Sequence, residues 1–198
     1  MTTSNQPNPA NLNSNDASVP LALPTAHQTA AYGNRYCAVP YGYSGRSFYF
    51  SDMEEYSKGY EAGLPMIEEY SIEFIDGSTG DAQLFNALKI DQSTLERWFD
   101  EVEDLNDNEK AALFFLVDNN GMDLDDAMDK RDDVMLREGS ELDAGTEIFD
   151  EMYMDNMPAG AKSYVDYESF ARDLRLNGEI VEFEFDGTTY TCVNASSL

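Results

Sequence analysis

The stretch from residue 91 to residue 155 constrains this chain most, because it is very acidic and yet patterned like folded helices. It contains 22 Asp or Glu residues and five Lys or Arg residues. Acidic segments that stay disordered lack regularly spaced apolar and aromatic side chains. Here Leu95, Trp98, Phe99 and Val102 recur at the spacing of one helix face. The stretch therefore predicts a folded helical scaffold that displays carboxylates.

The whole chain has 39 acidic residues against 12 Lys and Arg residues, and its formal net charge is −27. A charge of this size repels nucleic acid, so direct binding to DNA or RNA is not expected, and the chain is expected to bind basic surfaces, cations or no partner. Two cysteines, Cys37 and Cys192, fit a reducing cytoplasm. There is no signal-peptide pattern and no apolar run of ~18 residues, so we expect a cytoplasmic protein without membrane contact.

At 198 residues the chain has room for one ordinary domain or for two to three small ones. Residues 1–28, rich in Asn, Ser, Thr and Pro, are predicted to be a disordered leader. Residues 29–91 are predicted to form an α/β domain, residues 92–138 a central acidic helical domain, and residues 139–198 an α+β domain. The predicted fold class is α+β, with small antiparallel sheets and helices in the two outer domains.

In the first domain, residues 35–39 and 47–51 are predicted to be strands joined by a turn rich in Gly, Tyr and Ser, and alternating apolar residues predict a third strand at 68–75. A helix between the last two is capped by Ser51 or Asp52. In the last domain we expect helices at 147–154 and 164–174, followed by strands at 180–185 and 188–193. The Asp186-Gly187 pair between these strands predicts a type I′ hairpin turn.

In the central domain, Ser93 and Glu96 predict a capping box for a helix over residues 95–105. Asn106 and Glu109 predict the cap of a second helix, which runs to Val117 with Gly121 as its C-terminal signal. A third helix is expected from residue 124 to residue 131.

A catalytic site is not predicted, because the single histidine, His27, lies in the leader and no carboxylate pair stands out from the others. The best calcium-binding candidate is the loop over residues 118–129. It departs from the EF-hand pattern, since Met122 replaces a ligand and Asp123 replaces the turn glycine. No metal and no cofactor is therefore expected.

The acids are more consistent with a surface that imitates nucleic-acid phosphates. Side chains three and four positions apart on a helix are ~5–6 Å apart at Cβ, and each strand of duplex DNA carries one phosphate per ~3.4 Å. The alternatives are a solvated acidic face or the acidic coat of a halophilic protein. The first 50 residues contain one acid, Asp16, whereas a halophilic coat is expected to spread more evenly. The residues predicted to form the mimicking surface are Glu54, Glu55, Glu61, Glu68, Glu69, Glu73, Asp76, Asp100, Glu101, Glu103, Asp104, Asp107, Glu109, Asp118, Asp123, Asp125, Asp126, Asp129, Asp132 and Asp133.

Two short motifs connect the chain to a known family. Residues 163–180, SYVDYESFARDLRLNGEI, resemble a stretch of the ArdA antirestriction family, and Glu68-Glu69-Tyr70-Ser71-Ile72 resembles a second one. After Ile72 the family continues His-Asp-Tyr-Glu, whereas this chain has Glu-Phe-Ile-Asp, so that match is partial. The residues that carry the first resemblance are Tyr164, Val165, Asp166, Tyr167, Phe170, Arg172, Asp173 and Leu174.

The resemblance implies an elongated, three-domain homodimer that pairs through its C-terminal domain and is encoded on a mobile genetic element. It implies a DNA mimic that inhibits Type I restriction–modification enzymes in the bacterial cytoplasm by engaging the methyltransferase core with its specificity subunit. Tyr164, Tyr167 and Phe170 are then expected to be core or dimer residues, with Arg172 paired to an acid. Two rival hypotheses are an acidic binding module for another basic protein, such as a nucleoid protein or another nuclease, and an enzyme that uses a carboxylate pair.

Overall fold

The computed structural model describes residues 33–42, 45–64 and 67–198, and the predicted leader lies outside these ranges. The described chain is a mixed α+β protein with seven α-helices and two small antiparallel sheets, which confirms the predicted class. Across these ranges, no helix has the length and apolar character needed to cross a membrane.

The first sheet contains β1 (Arg35–Pro40), β2 (Phe48–Phe50) and β3 (Tyr70–Asp76) in the order β2-β1-β3. Both pairings are antiparallel, and all three predicted strands are confirmed to within two residues at each end. The inner face is aromatic, since the ring of Tyr36 lies 5.4 Å from that of Phe50. Such stacked pairs add to the stabilisation that comes from burying their area.

Two helices border this sheet. α1 (Met53–Glu61) is capped by Asp52, one of the two predicted caps, whose carboxylate accepts a hydrogen bond from the backbone N–H of Glu55 at 2.8 Å. α2 (Thr79–Ala87) was not predicted, because Gly80 within it weakens the helical signal. It forms because Leu84 and other apolar side chains on it are buried in the core.

The predicted helix over residues 95–105 is divided in the structure. α3 (Leu95–Arg97) continues into a π-helical turn, Trp98–Val102, in which the N–H of Glu103 donates to the carbonyl of Trp98 at 2.9 Å. The wider turn keeps Trp98 and Val102 fully buried.

The predicted capping box of Ser93 with Glu96 is wrong. Thr94 occupies the N-cap position and makes no side-chain capping bond. The backbone N–H and the hydroxyl of Ser93 both donate to the carboxylate of Asp91, at 2.8 and 2.6 Å. This local turn takes the place of the cap, as short polar side chains often do.

α4 (Asp107–Asp118) begins at the capping box that the sequence predicts. Asn106 Oδ1 accepts from the N–H of Glu109, and Glu109 Oε2 accepts from the N–H of Asn106, both at 3.0 Å.

We expect Asn106→Ala to lower the free energy of unfolding by about 1 kcal/mol, measured by urea denaturation. Asn108→Ala in the same turn is the control and should change it by less than about 0.5 kcal/mol. Equal losses in both variants would contradict this role of Asn106.

α4 ends at Asp118, and Gly121, the predicted C-terminal signal, follows it with a left-handed φ of 69°. The N–H of Met122 then donates to the carbonyl of Leu116 at 3.2 Å, which satisfies one of the last carbonyls of the helix. The predicted third helix is α5 (Leu124–Lys130), extended by a 3₁₀ turn over Arg131–Asp133.

The second sheet contains β4 (Leu136–Glu138), β5 (Val181–Phe185) and β6 (Thr188–Cys192) in the order β4-β6-β5. Asp186 and Gly187 have φ values of 49° and 74°, which confirms the predicted type I′ turn. The short β4 lies within residues 92–138, which were predicted to be all helical, so that part of the prediction is wrong. Three residues carry too little alternation to identify a strand.

α6 (Glu141–Tyr153) and α7 (Tyr167–Leu176) form a helical hairpin beside this sheet. α6 starts six residues earlier than predicted, because Ser140 provides its capping box. α7 starts three residues later than predicted. Gly145 on α6 permits their close contact, since a Cβ there would lie 2.6 Å from Ala171 Cβ.

The buried side chains of both sheets and of the helices between them form one hydrophobic cluster. Phe85 on α2 packs against Trp98, with ring centroids 5.1 Å apart. Phe114 on α4 packs against Phe185 of the second sheet at 5.2 Å. The division at residues 91 and 138 into three domains stays a prediction.

Candidate functional site

Most of the 20 acids predicted to mimic phosphates, called the acidic surface below, point to solvent. Eighteen are exposed, and two, Glu103 and Glu109, are half-buried. Seven lie on or beside the first sheet and α1, between residues 54 and 76. The other thirteen lie between residues 100 and 133, on the π-helical turn, α4, α5 and their connections. The surface therefore involves several elements rather than one.

Part of the negative charge of the acidic surface lies at the N-termini of helices. Asp107 and Glu109 lie in the first turn of α4, and Asp125 and Asp126 lie in the first turn of α5. Asp123, from the loop considered for calcium, is the N-cap of α5 and accepts from the N–H of Asp126 at 3.0 Å. The positive end of a helix dipole stabilises such carboxylates, which offsets some of their mutual repulsion.

Arginines connect the acidic elements to one another. Arg97 donates to Glu101 at 2.9 Å and to Asp125 at 2.6 Å, so it joins the π-helical turn to α5. The hydrogen bond from Arg97 holds the pKa of Glu101 below its usual value. Arg131 lies 3.8 Å from Glu109 and 3.1 Å from Asp132. These contacts restrict where the neighbouring carboxylates can lie.

A largely buried set of polar side chains lies beside the acidic surface, and we call it the polar junction. Lys110 on α4 donates to Asp81 Oδ1 on α2 at 2.6 Å, and these side chains are only 11% and 9% exposed. Asn34, next to β1, donates to Asp81 Oδ2 at 2.8 Å and to Glu103 Oε1 at 2.9 Å. The members of the polar junction are Asn34, Tyr36, Asp81, Trp98, Glu103 and Lys110.

The junction continues through two aromatic side chains. The hydroxyl of Tyr36 donates to Glu103 Oε1 at 2.7 Å, and Trp98 Nε1 donates to that same hydroxyl at 2.7 Å. Burial, followed by the hydrogen bond to Glu103, raises the pKa of Tyr36 far above its usual value, so the phenol stays neutral. Glu103 thus differs from the rest of the acidic surface, since side chains of the protein interior bind its carboxylate.

Sequence reasoning missed Asn34, Asp81 and Lys110 as functional or structural candidates. Their hydrogen bonds join residues 29, 47 and 69 positions apart, so no local spacing marks them. Among the described residues, no three His, Cys, Asp or Glu side chains are grouped to hold a metal ion.

A family model described as antirestriction protein (ArdA) matches residues 46–187, more than two thirds of the chain. The chain belongs to the ArdA family. Neither the comparison with curated proteins nor the comparison with solved structures gave a match. ArdA membership implies an antirestriction function and an interaction with restriction–modification enzymes, and the family is one of inhibitors rather than enzymes.

The matched residues include the whole acidic surface and the ArdA motif near the C-terminus, whereas Asn34 and Tyr36 precede them. In that motif, Asp166 caps α7 and accepts from the N–H of Ser169 at 3.0 Å. Hydrogen bonds from Ser169 lower the pKa of Asp166. The hydroxyl of Tyr167 donates to Asp150 at 2.7 Å, which joins α7 to α6.

The remaining ArdA motif residues divide between the helical hairpin and the surface. Phe170 packs against Phe149 of α6 with ring centroids 5.1 Å apart, and Leu174 is half-buried. Arg172 lies 3.7 Å from Asp173, and both are exposed. Tyr164 is 85% exposed, so it is not a core residue of this chain. Other large apolar side chains exposed on this hairpin are Leu142, Met152, Tyr153 and Leu176.

Proposed function

We propose that this ArdA-family chain is a DNA mimic that competes with DNA for Type I restriction–modification enzymes and inhibits them stoichiometrically. The observation that carries the proposal is the acidic surface, in which 18 of 20 acids are exposed. Its arginine contacts restrict several of these acids. An enzyme that grips the DNA backbone through Lys and Arg side chains binds such a surface for the same electrostatic reason.

This model accounts for inhibition without recognition of a base sequence. Phosphate contacts position a protein on DNA but carry no direct sequence information. A protein that imitates the backbone alone therefore competes at enzymes with different target sequences. The partner surface that fits is the DNA-binding groove of the methyltransferase core with its specificity subunit, in the cytoplasm of a bacterial host.

The proposal includes a homodimer that pairs through residues 139–198. The exposed apolar side chains of the α6–α7 hairpin support this, because clustered apolar residues at a surface often mark an interface. A dimer carries twice the charge of one chain, −54. At one charge per ~1.7 Å, that equals the charge of roughly 90 Å of duplex DNA.

A competition assay tests the proposal. A fluorescent duplex bound to a purified Type I methyltransferase with its specificity subunit is titrated with this protein at several salt concentrations. We expect complete displacement at one dimer per enzyme, with weaker competition as the salt concentration rises. A second enzyme with a different target sequence should respond alike.

Polyglutamate at equal total charge is the control, and it should displace the duplex much less well. Absence of displacement, or equal displacement by polyglutamate, would contradict the proposal. Absence of displacement combined with tight binding to a basic nucleoid protein would favour the acidic binding module instead.

A further inference from the structure

Glu103 belongs by sequence to a run of acids but differs from its neighbours in what it contacts. Asp100, Glu101 and Asp104 are exposed, whereas Glu103 is half-buried. One oxygen of its carboxylate, Oε1, accepts from Asn34 at 2.9 Å and from Tyr36 at 2.7 Å. Its negative charge is therefore partly withdrawn from the surface that a partner meets.

Tyr36 lies in β1 of the first sheet and Asn34 directly precedes that strand, while Glu103 follows the π-helical turn. Asn34 also accepts, through Oδ1, from the N–H of Ser78, the N-cap of α2, at 3.1 Å. Through Asp81 the same asparagine is connected to Lys110 on α4. The polar junction thus joins the sheet to the π-helical turn and to α4, two of the elements that carry the thirteen acids between residues 100 and 133.

The polar junction is held by hydrogen bonds, which depend on the relative orientation of the groups they join. Hydrogen bonds require defined distances and angles, while apolar packing tolerates some sliding. An unpaired buried donor is costly, so Tyr36 and Trp98 favour the one arrangement in which both are bonded. The junction therefore restricts the π-helical turn to one position against the sheet.

We infer that Glu103 is a positioning residue. Through the polar junction it holds the acids of the π-helical turn and α4 at fixed positions relative to the acids of α1 and β3. The inference rests on the proposed function and deepens it. Glu103 supports binding to the enzyme through its hydrogen bonds, whereas Asp100 and Asp104 support binding through their charge.

Two substitutions at the same position separate these roles. Glu103→Gln and Glu103→Ala remove the same charge, but the glutamine retains an oxygen that accepts hydrogen bonds from Asn34 and Tyr36. We expect Glu103→Gln to weaken competition with duplex DNA no more than Asp104→Asn, which removes one exposed charge. Glu103→Ala should need about tenfold more protein for half-displacement, equivalent to ~1.4 kcal/mol.

The salt dependence distinguishes positioning from simple loss of folded protein. A smaller folded fraction raises the concentration needed at every salt level but leaves the slope against log salt unchanged. Misplaced acids engage fewer cations, so Glu103→Ala should also reduce that slope. Asp104→Asn and Asp104→Ala are the matched pair at an exposed neighbour and should be indistinguishable from each other.

Trp98 provides a readout that does not depend on inhibition. It is the only tryptophan of the chain, so its indole N–H gives one resolvable NMR signal. Because this N–H donates to Tyr36, the signal should stay in place in Glu103→Gln and shift in Glu103→Ala. If Glu103→Ala fails to fold, Tyr36→Phe, which removes one hydroxyl, should give the same shift and the same loss of competition.

Equal loss of competition in Glu103→Gln and Glu103→Ala would overturn the inference, because charge alone would then explain the effect. Unchanged competition in Glu103→Ala with a shifted indole signal would also overturn it. In both cases the unmodified protein still competes, and the proposed function stands. Absence of competition by the unmodified protein would instead overturn the proposed function, and this inference with it.

Discussion

Lys110→Met should lower the free energy of unfolding by about 3–5 kcal/mol, the largest single effect on stability that we expect in this chain. The substitution removes the ammonium group that lies 2.6 Å from Asp81 and leaves that carboxylate 9% exposed without its cation. A buried charge without a partner is costly because water cannot solvate it. Urea denaturation, followed by circular dichroism, measures the loss.

Lys58→Met is a closely matched control. Lys58 lies at the same distance, 2.6 Å, from Glu54, but the two side chains are 68% and 78% exposed. Exposed ion pairs contribute about 0–1 kcal/mol, so this variant should unfold almost like the unmodified protein. Similar losses in the two lysine variants would show that burial of the Asp81 pair is not what makes it important.

A double replacement adds a second check. Asp81→Leu combined with Lys110→Met removes both charges and leaves no buried ion without a partner. We expect the double variant to be more stable than Lys110→Met alone, since apolar replacements of buried pairs are often close to neutral. A double variant less stable than either single variant would argue that the hydrogen bond from Asn34 to Asp81 matters more than the ion pair.

The combined change Asp100→Asn, Asp104→Asn and Asp129→Asn should weaken competition with DNA by about 30-fold. This corresponds to three exposed contacts of ~0.7 kcal/mol each. All three carboxylates are exposed, and in the described part of the chain they form no ion pair or side-chain hydrogen bond. Stability should not fall, and the loss of repulsion should raise it slightly. The competition assay and urea denaturation measure the two quantities.

An equal number of exposed acids outside the acidic surface provides the control. Asp155→Asn, Glu168→Gln and Glu184→Gln together change the net charge by the same amount. If local mimicry matters, this control should lose far less competition than the central triple variant. Equal losses would mean that net charge alone, and not the placement of the acids, determines binding.

Local patterns predicted much of the fold. The strand-forming residue types of β1 and β2, the alternation in β3, the caps at Asp52 and Asn106, and the Asp186-Gly187 turn all act over a few residues. The predicted capping box failed because a second local hydrogen-bonding arrangement was available to Ser93. Ser93 donates two hydrogen bonds to the carboxylate of Asp91 and therefore does not form the capping box with Glu96.

The sequence by itself determined that this chain folds with acidic helices whose charge faces outward, and its motifs identified the ArdA family. Only the tertiary structure decided which acids are withdrawn from that surface. Asp81 and Glu103 resemble the other acids along the chain, but partners 29 to 69 positions away bind them, so that Asp81 is buried and Glu103 is half-buried. The physical reason is that helix caps, turns and amphipathic spacing depend on neighbouring residues. A carboxylate is buried only where folding brings donors from distant segments to replace its water.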